Sequence, residues 1–226
     1  MPQANMIRWR EGAGWLVLSG GGDFQSAETG EIEAEALARV AAGDPMAYIW
    51  AAGDVESADK HLEALHDLGA PTGYLVDVLT EDDDSLRNQL ASAGLIVLGD
   101  GPNVKALRSG VLGAALEAIG SAYERGAVIL GVGQGAAVLG SIMPDQPGVG
   151  WIEGAAIMPG YEDDKAVAQL RDLLAKSPGA YGLGIARGSA LALGPGDAGS
   201  QGEIEAWGKR QITVTLGRDF TAKEKD

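Results

Sequence analysis

The chain has 226 residues, with 17 lysines and arginines against 32 aspartates and glutamates, for a net charge of −15. That balance argues against a nucleic-acid partner, which needs clustered cations to displace phosphate counterions. The absence of cysteine excludes a disulfide framework, thiolate metal sites and a thiol nucleophile.

The N-terminus, from Met1 to Arg8, carries no apolar leader stretch. The longest nearly uncharged run, Ala127 to Ile142, is broken by Gly131, Gly133, Gln134 and Gly135, so a cytoplasmic protein with no membrane partner is expected. Hydrophobic residues make up 46%, enough for a full core, and the length fits one domain over residues 1–226. Its packed part is expected over about 14–217, with a polar, frayed tail over about 218–226. Five short apolar runs, at 15–18, 47–50, 73–76, 95–98 and 127–130, lack polar alternation, as strands covered on both faces do. Helical segments separate them. Ser57 is placed to cap a helix with Ala58, Leu62, Leu65 and Leu68 on one stripe. Thr80 and Asp83 read as a capping box before Leu86 and Leu90. A helix over Val111 to Tyr123 aligns Leu112, Ala115, Leu116 and Ile119 and stops at Gly126. Strand and helix alternating in this way predict a mostly parallel, doubly covered α/β sheet.

After Met143 the pattern changes. A Pro- and Gly-rich stretch leads to a strand near Trp151 to Ile157 and a helix carrying Val167, Leu170, Leu173 and Leu174. Short β segments follow at 181–185 with 190–193, at 204–207 and at 211–216. Their connections, residues 194–200 and Gly208-Lys209-Arg210, resemble hairpin turns, which predicts an antiparallel extension at one edge of the sheet.

The most informative stretch runs from a buried strand through Gly131-Val132-Gly133-Gln134-Gly135-Ala136 into an Ala-rich helix start. In strand-turn-helix hydrolases, G-x-S-x-G holds a serine on a sharp turn with unfavourable backbone angles. Gly131 and Gly135 stand at the flanking places, and the centre is Gly133. Three readings follow. The turn also fits a loose dinucleotide fingerprint with Glu153 beyond it, but that motif belongs in the first strand-helix unit, and Pro144 interrupts the helix here. Alternatively it is a vestigial elbow whose N–H groups at Gln134 and Gly135 face the Gly99 to Asn103 loop and attract an anion or carboxylate. Finally, it packs tightly around a pocket that is empty or closed by Gln134.

The order of several segments resembles the cyanophycinase and peptidase E family, serine hydrolases related in fold to class I glutamine amidotransferases. The likeness runs from about Gly14 to Leu216. It rests on the strand end Leu18-Ser19-Gly20-Gly21-Gly22, the loop Gly99-Asp100-Gly101-Pro102-Asn103, the elbow just described, and Gly182-Leu183-Gly184-Ile185-Ala186-Arg187. The resemblance implies a flavodoxin-like three-layer sandwich with a C-terminal antiparallel β extension. It also implies a nucleophile at position 133, a catalytic histidine within Met158 to Asp164, and an acidic pair at 186–187. This chain has Gly133, no histidine in that segment, and Ala186-Arg187.

No catalytic residue is therefore assigned, because a hydroxyl without a base is a weak nucleophile at neutral pH. Gly131, Gly133, Gln134, Gly135, Gly99, Asp100, Gly101 and Asn103 are read as a vestigial elbow and pocket. His61 and His66 are the only histidines; about 140° apart on one helix, they cannot share a metal, and a surface or stripe-edge place is expected for both. The acidic run at 81–84 and the one at 162–164 are read as helix starts that favour the dipole. Ser19, Ser141 and Ser189 have no visible base partner.

The expectation is thus a catalytically silent relative that needs no cofactor or metal. It would bind a small anionic or peptide-like ligand or a protein partner, with a homodimer open; the alternative is a hydrolase with an unrecognised nucleophile or activated water. The silent reading requires that no imidazole and hydroxyl meet in the cleft beside the elbow.

Overall fold

The computed structural model describes residues 6–196 and 202–222. The five apolar runs form β1 (Trp15–Ser19), β2 (Met46–Ile49), β3 (Gly73–Val76), β4 (Leu95–Leu98) and β5 (Val128–Val132). All five are parallel and stand in the order β1-β5-β4-β2-β3. Alternate residues point to opposite faces. Leu16, Leu18, Ile96, Leu98 and Ile129 enter one apolar cluster; Val17, Leu95, Val97, Val128 and Leu130 enter another. With both faces buried, the runs show no polar alternation.

One face is covered by α1 (Ala27–Leu37) and α2 (Val55–Asp67), through Ile32, Ala36, Ala58 and Leu65. The other is covered by α3 (Asp83–Ala91), α4 (Val104–Val111), α5 (Ala114–Glu124) and α6 (Gln134–Leu139), through Leu86, Leu107, Ile119 and Val138. This is the expected mostly parallel α/β sandwich of three layers. No helix among the described residues is long and apolar enough to cross a membrane.

Beyond β5 the chain builds a second sheet from β6 (Gly140–Ile142), β7 (Ile152–Pro159), β8 (Tyr181–Ile185) and β11 (Ile212–Leu216), in the order β11-β8-β7-β6. Ile152, Ile157, Leu183 and Ile185 press its inner face into the cluster beneath α3 to α6. Helix α7 (Asp164–Lys176) covers the outer face with Leu170, Leu173 and Leu174. The antiparallel extension is present: β9 (Ser189–Leu193) lies antiparallel to β1, and β10 (Ile204–Gly208) antiparallel to β9.

Several local expectations are corrected. The second apparent hairpin turn joins different sheets, since β11 pairs with β8 and not with β10. The first turn falls largely at residues 197–201, outside the described residues. Asp54, not Ser57, caps α2, its carboxylate accepting from the Ser57 N–H. Asp82, not Thr80, caps α3, accepting from the Asp84 and Ser85 N–H groups, so the acidic run at 81–84 does serve a helix start. The helix expected from Val111 is broken at Gly113, whose φ of 75° leaves Leu112 exposed. Packing also continues past 217. The Asp219 N–H donates to the Pro178 carbonyl and the Phe220 ring meets Tyr181 edge-on, while residues 223–226 lie outside the described residues.

Candidate functional site

Gly133 is the N-cap of α6 at φ 52°, ψ −118°. Its N–H donates to the Ser19 carbonyl at 3.0 Å, which ties the turn to the end of β1. Strand and helix touch on either side of it: a Cβ on Gly131 would meet the Ala136 Cα at 2.7 Å, and one on Gly135 would run into the Leu98 carbonyl. The glycine turn is therefore a sharp strand-to-helix turn in backbone terms, with a hydrogen atom at its apex.

The loop after β4 supplies what the apex lacks. Asp100 Oδ1 accepts from the Gln134 N–H and from the Gly101 N–H, each at 2.8 Å. The carboxylate lies where a Cβ on residue 133 would be built. Of the two amides that the sequence offered to an outside anion, the Gln134 N–H thus holds the chain's own charge, with the Gly101 N–H rather than that of Gly135 as the second donor. Closure comes from Asp100 rather than Gln134. Gly99 lies against the Tyr48 ring, where a Cβ would stand 2.7 Å from a ring carbon, and Gly101 lies against the Ala52 carbonyl. Asn103 takes part through its backbone, its N–H donating to Ala52, and its side chain makes no cap bond to α4.

Beside Asp100 opens a pocket of about 150 Å³ walled by Phe24, Tyr48, Trp50, His61 and the carboxylates of Asp54 and Asp100. His61 is 5% exposed, which corrects the surface or stripe-edge place expected for it; His66 is exposed. The imidazole Nε2 is 2.6 Å from Glu33 Oε1 and Nδ1 is 2.9 Å from the Tyr48 hydroxyl. With a carboxylate at Nε2, the neutral ring donates there and accepts the Tyr48 O–H at Nδ1. Phe24 stacks on the same ring at 5.0 Å. A hydroxyl and an imidazole therefore do meet in this cleft, contrary to what the silent reading required. The hydroxyl is a phenol, and burial, reinforced by the charges of Glu33 and Asp100, pushes its pKa well above the ordinary value. Tyr48 is a fixed hydrogen-bond donor rather than a ready nucleophile.

The positions implied by the resemblance hold a different device. Arg187 reaches Glu162 at 3.0 Å and Asp163 at 3.2 Å, and its own N–H donates to Glu162. An exposed ion-pair cluster stands where a histidine and an acid were implied, and the run at 162–164 serves Arg187 as well as the start of α7. The serines are occupied. Ser19 accepts from the Gly21 N–H and buried Ser189 from the Gln211 N–H. Ser141 lies in β6, donating to the Ile152 carbonyl.

Sequence reasoning missed Tyr48, Phe24 and Glu33, the last because α1 was not placed. A signal for His61 existed: it stands three residues after Ala58 and four before Leu65, the buried line of α2.

Together the fold and the filled elbow define a three-layer α/β protein whose strand-to-helix apex carries no side chain. No protein-family profile and no curated protein matches the chain. Solved structures do. A peptidase from an acI-B1 Actinobacterium superposes with a TM-score of 0.72 at 20% identity, covering 92% of this chain and 93% of the other. A "Putative Peptidase E Protein" from Listeria monocytogenes EGD-e gives 0.60 at 14% identity, covering 90% and 98%. The chain shares their fold over nearly its whole length.

Proposed function

We propose a narrower form of the silent reading: this chain is a relative of the cyanophycinase and peptidase E hydrolases without their Ser-His acyl transfer, working as a small-ligand module through the pocket beside its elbow. The Tyr48–His61 contact rules out the original condition of that reading, but the hydroxyl is a buried phenol and not a serine. The observation that carries this reading is the Asp100 carboxylate, seated on the Gln134 and Gly101 amides in the space a nucleophile's side chain would need. An acyl-transfer site needs those donors free for the developing oxyanion and a hydroxyl paired with a base. Here the donors are taken, and both His61 nitrogens are engaged by Tyr48 and Glu33.

A second reading is favoured by one observation: the Tyr48–His61–Glu33 chain borders the same pocket as Asp100. In it, the pocket activates water for hydrolysis. A screen of the purified chain against aspartyl dipeptides, β-linked dipeptides and cyanophycin separates the two. The silent reading expects no turnover above buffer. Turnover that disappears in Asp100→Asn or His61→Gln overturns it and establishes the second.

A further inference from the structure

The walls of the pocket point to a class of ligand that the elbow itself would not take. Its volume, about 150 Å³, is well below the roughly 300–1,000 Å³ of sites for larger organic ligands, so only a compact head group fits. Three walls are the aromatic side chains Phe24, Tyr48 and Trp50, two are the carboxylates Asp54 and Asp100, and no lysine or arginine lines it. Asp54 accepts both the N–H and the hydroxyl of Ser57, and these bonds hold its carboxyl below the usual range. Behind the His61 wall, Glu33 is 1% exposed and its Oε2 has no partner. A buried carboxylate oxygen without a donor, two carboxylate walls with no cationic side chain among the lining residues, and aromatic surface all favour positive charge. An inorganic cation would leave the aromatic walls unused, and an anion would meet two carboxylates.

We infer that the pocket binds a compact organic ammonium ion, a primary or methylated amine whose charged head lies among Phe24, Tyr48 and Trp50 against Asp54 and Asp100. This rests on the reading that the pocket, rather than the elbow, is the working site. The ammonium N–H or N–CH3 groups carry the positive charge, the aromatic faces supply cation–π attraction, and the carboxylates supply Coulomb attraction under partial desolvation.

The test is calorimetric and NMR titration of the full chain with tetramethylammonium and choline. Controls are 3,3-dimethyl-1-butanol, the neutral isostere of choline, and acetate. The inference expects choline to bind with a Kd of about 1 mM or tighter and the neutral isostere about tenfold more weakly. Asp54→Asn, which retains a good helix cap, and Trp50→Leu should each weaken choline by about tenfold while the thermal melt stays cooperative. Equal binding of choline and its isostere, preferential binding of acetate, or no binding of either cation overturns it. These failures differ from failure of the silent reading, which shows as turnover in the peptide screen.

Discussion

Putting a side chain on Gly133 should cost stability, and part of that cost should disappear once Asp100 is removed. At φ 52° and ψ −118° a residue other than glycine carries backbone strain of about 1–3 kcal/mol. The new Cβ also falls on the Asp100 carboxylate, which must swing away and lose its bonds to the Gln134 and Gly101 amides. Because Asp100 is exposed, water recovers part of that loss, leaving about 1–2 kcal/mol. Gly133→Ala should therefore destabilise by about 2–5 kcal/mol, lowering Tm by roughly 4–20 °C for a chain of this size. Urea unfolding followed by tryptophan fluorescence measures it. In the double variant with Asp100→Gly the overlap is already gone, so only the strain remains. The two substitutions should then fall short of additivity by about 1–2 kcal/mol. Additivity within about 0.5 kcal/mol, or a neutral Gly133→Ala, would refute the placement of the carboxylate at the apex.

Gly133→Ser should gain no peptidase activity in the same substrate screen, since no free imidazole nitrogen stands beside the new hydroxyl. His61→Ala should cost about 3–5 kcal/mol in chemical denaturation by stranding the buried Glu33 carboxylate, and Tyr48→Phe about 1–3 kcal/mol by leaving Nδ1 unpaired. On the acid side, Asp82 is held below its ordinary 3.8 by the Ser85 N–H and hydroxyl, and Asp145 by the Lys105 ammonium. Their contribution is complete above the unfolded pKa and vanishes as pH falls through the folded one. Tm should therefore decline from about pH 5 downward, less steeply in Asp82→Asn and Asp145→Asn. On the alkaline side, burial pushes the Tyr123 and Tyr181 phenols up to about 12. Stability tied to them is present below the ordinary value of 10.0 and drains as pH climbs toward about 12, so phenolate absorbance should lag and then rise together with unfolding.

The five parallel strands were legible because burial on both faces leaves their runs almost without polar residues, and the turn at Gly133 because glycines at alternate positions mark a strand and helix in contact. Where a strand pairs is not written in its own residues. Ile212 to Leu216 reads as a hairpin partner of the preceding strand, yet the register with Tyr181 to Ile185 takes it. The filling of the apex was illegible for a similar reason: Asp100 and Gln134 are distant in sequence, and only the packing of Gly99 and Gly101 against Tyr48 and Ala52 aims the carboxylate across. His61 was misplaced because a polar residue on a helix is usually solvated; Glu33, on an element the reading passed over, is what makes its burial tolerable.

The position of β1 bears on how this protein folds. β1 is gripped on one edge by β5 and on the other by β9, both far further along the sequence. The Trp-Leu-Val-Leu-Ser segment must wait, unpaired and greasy, until those partners arrive. Long loops must therefore close before the sheet can form, and slow refolding is expected from the wiring of the sheet rather than from any weakness in its core.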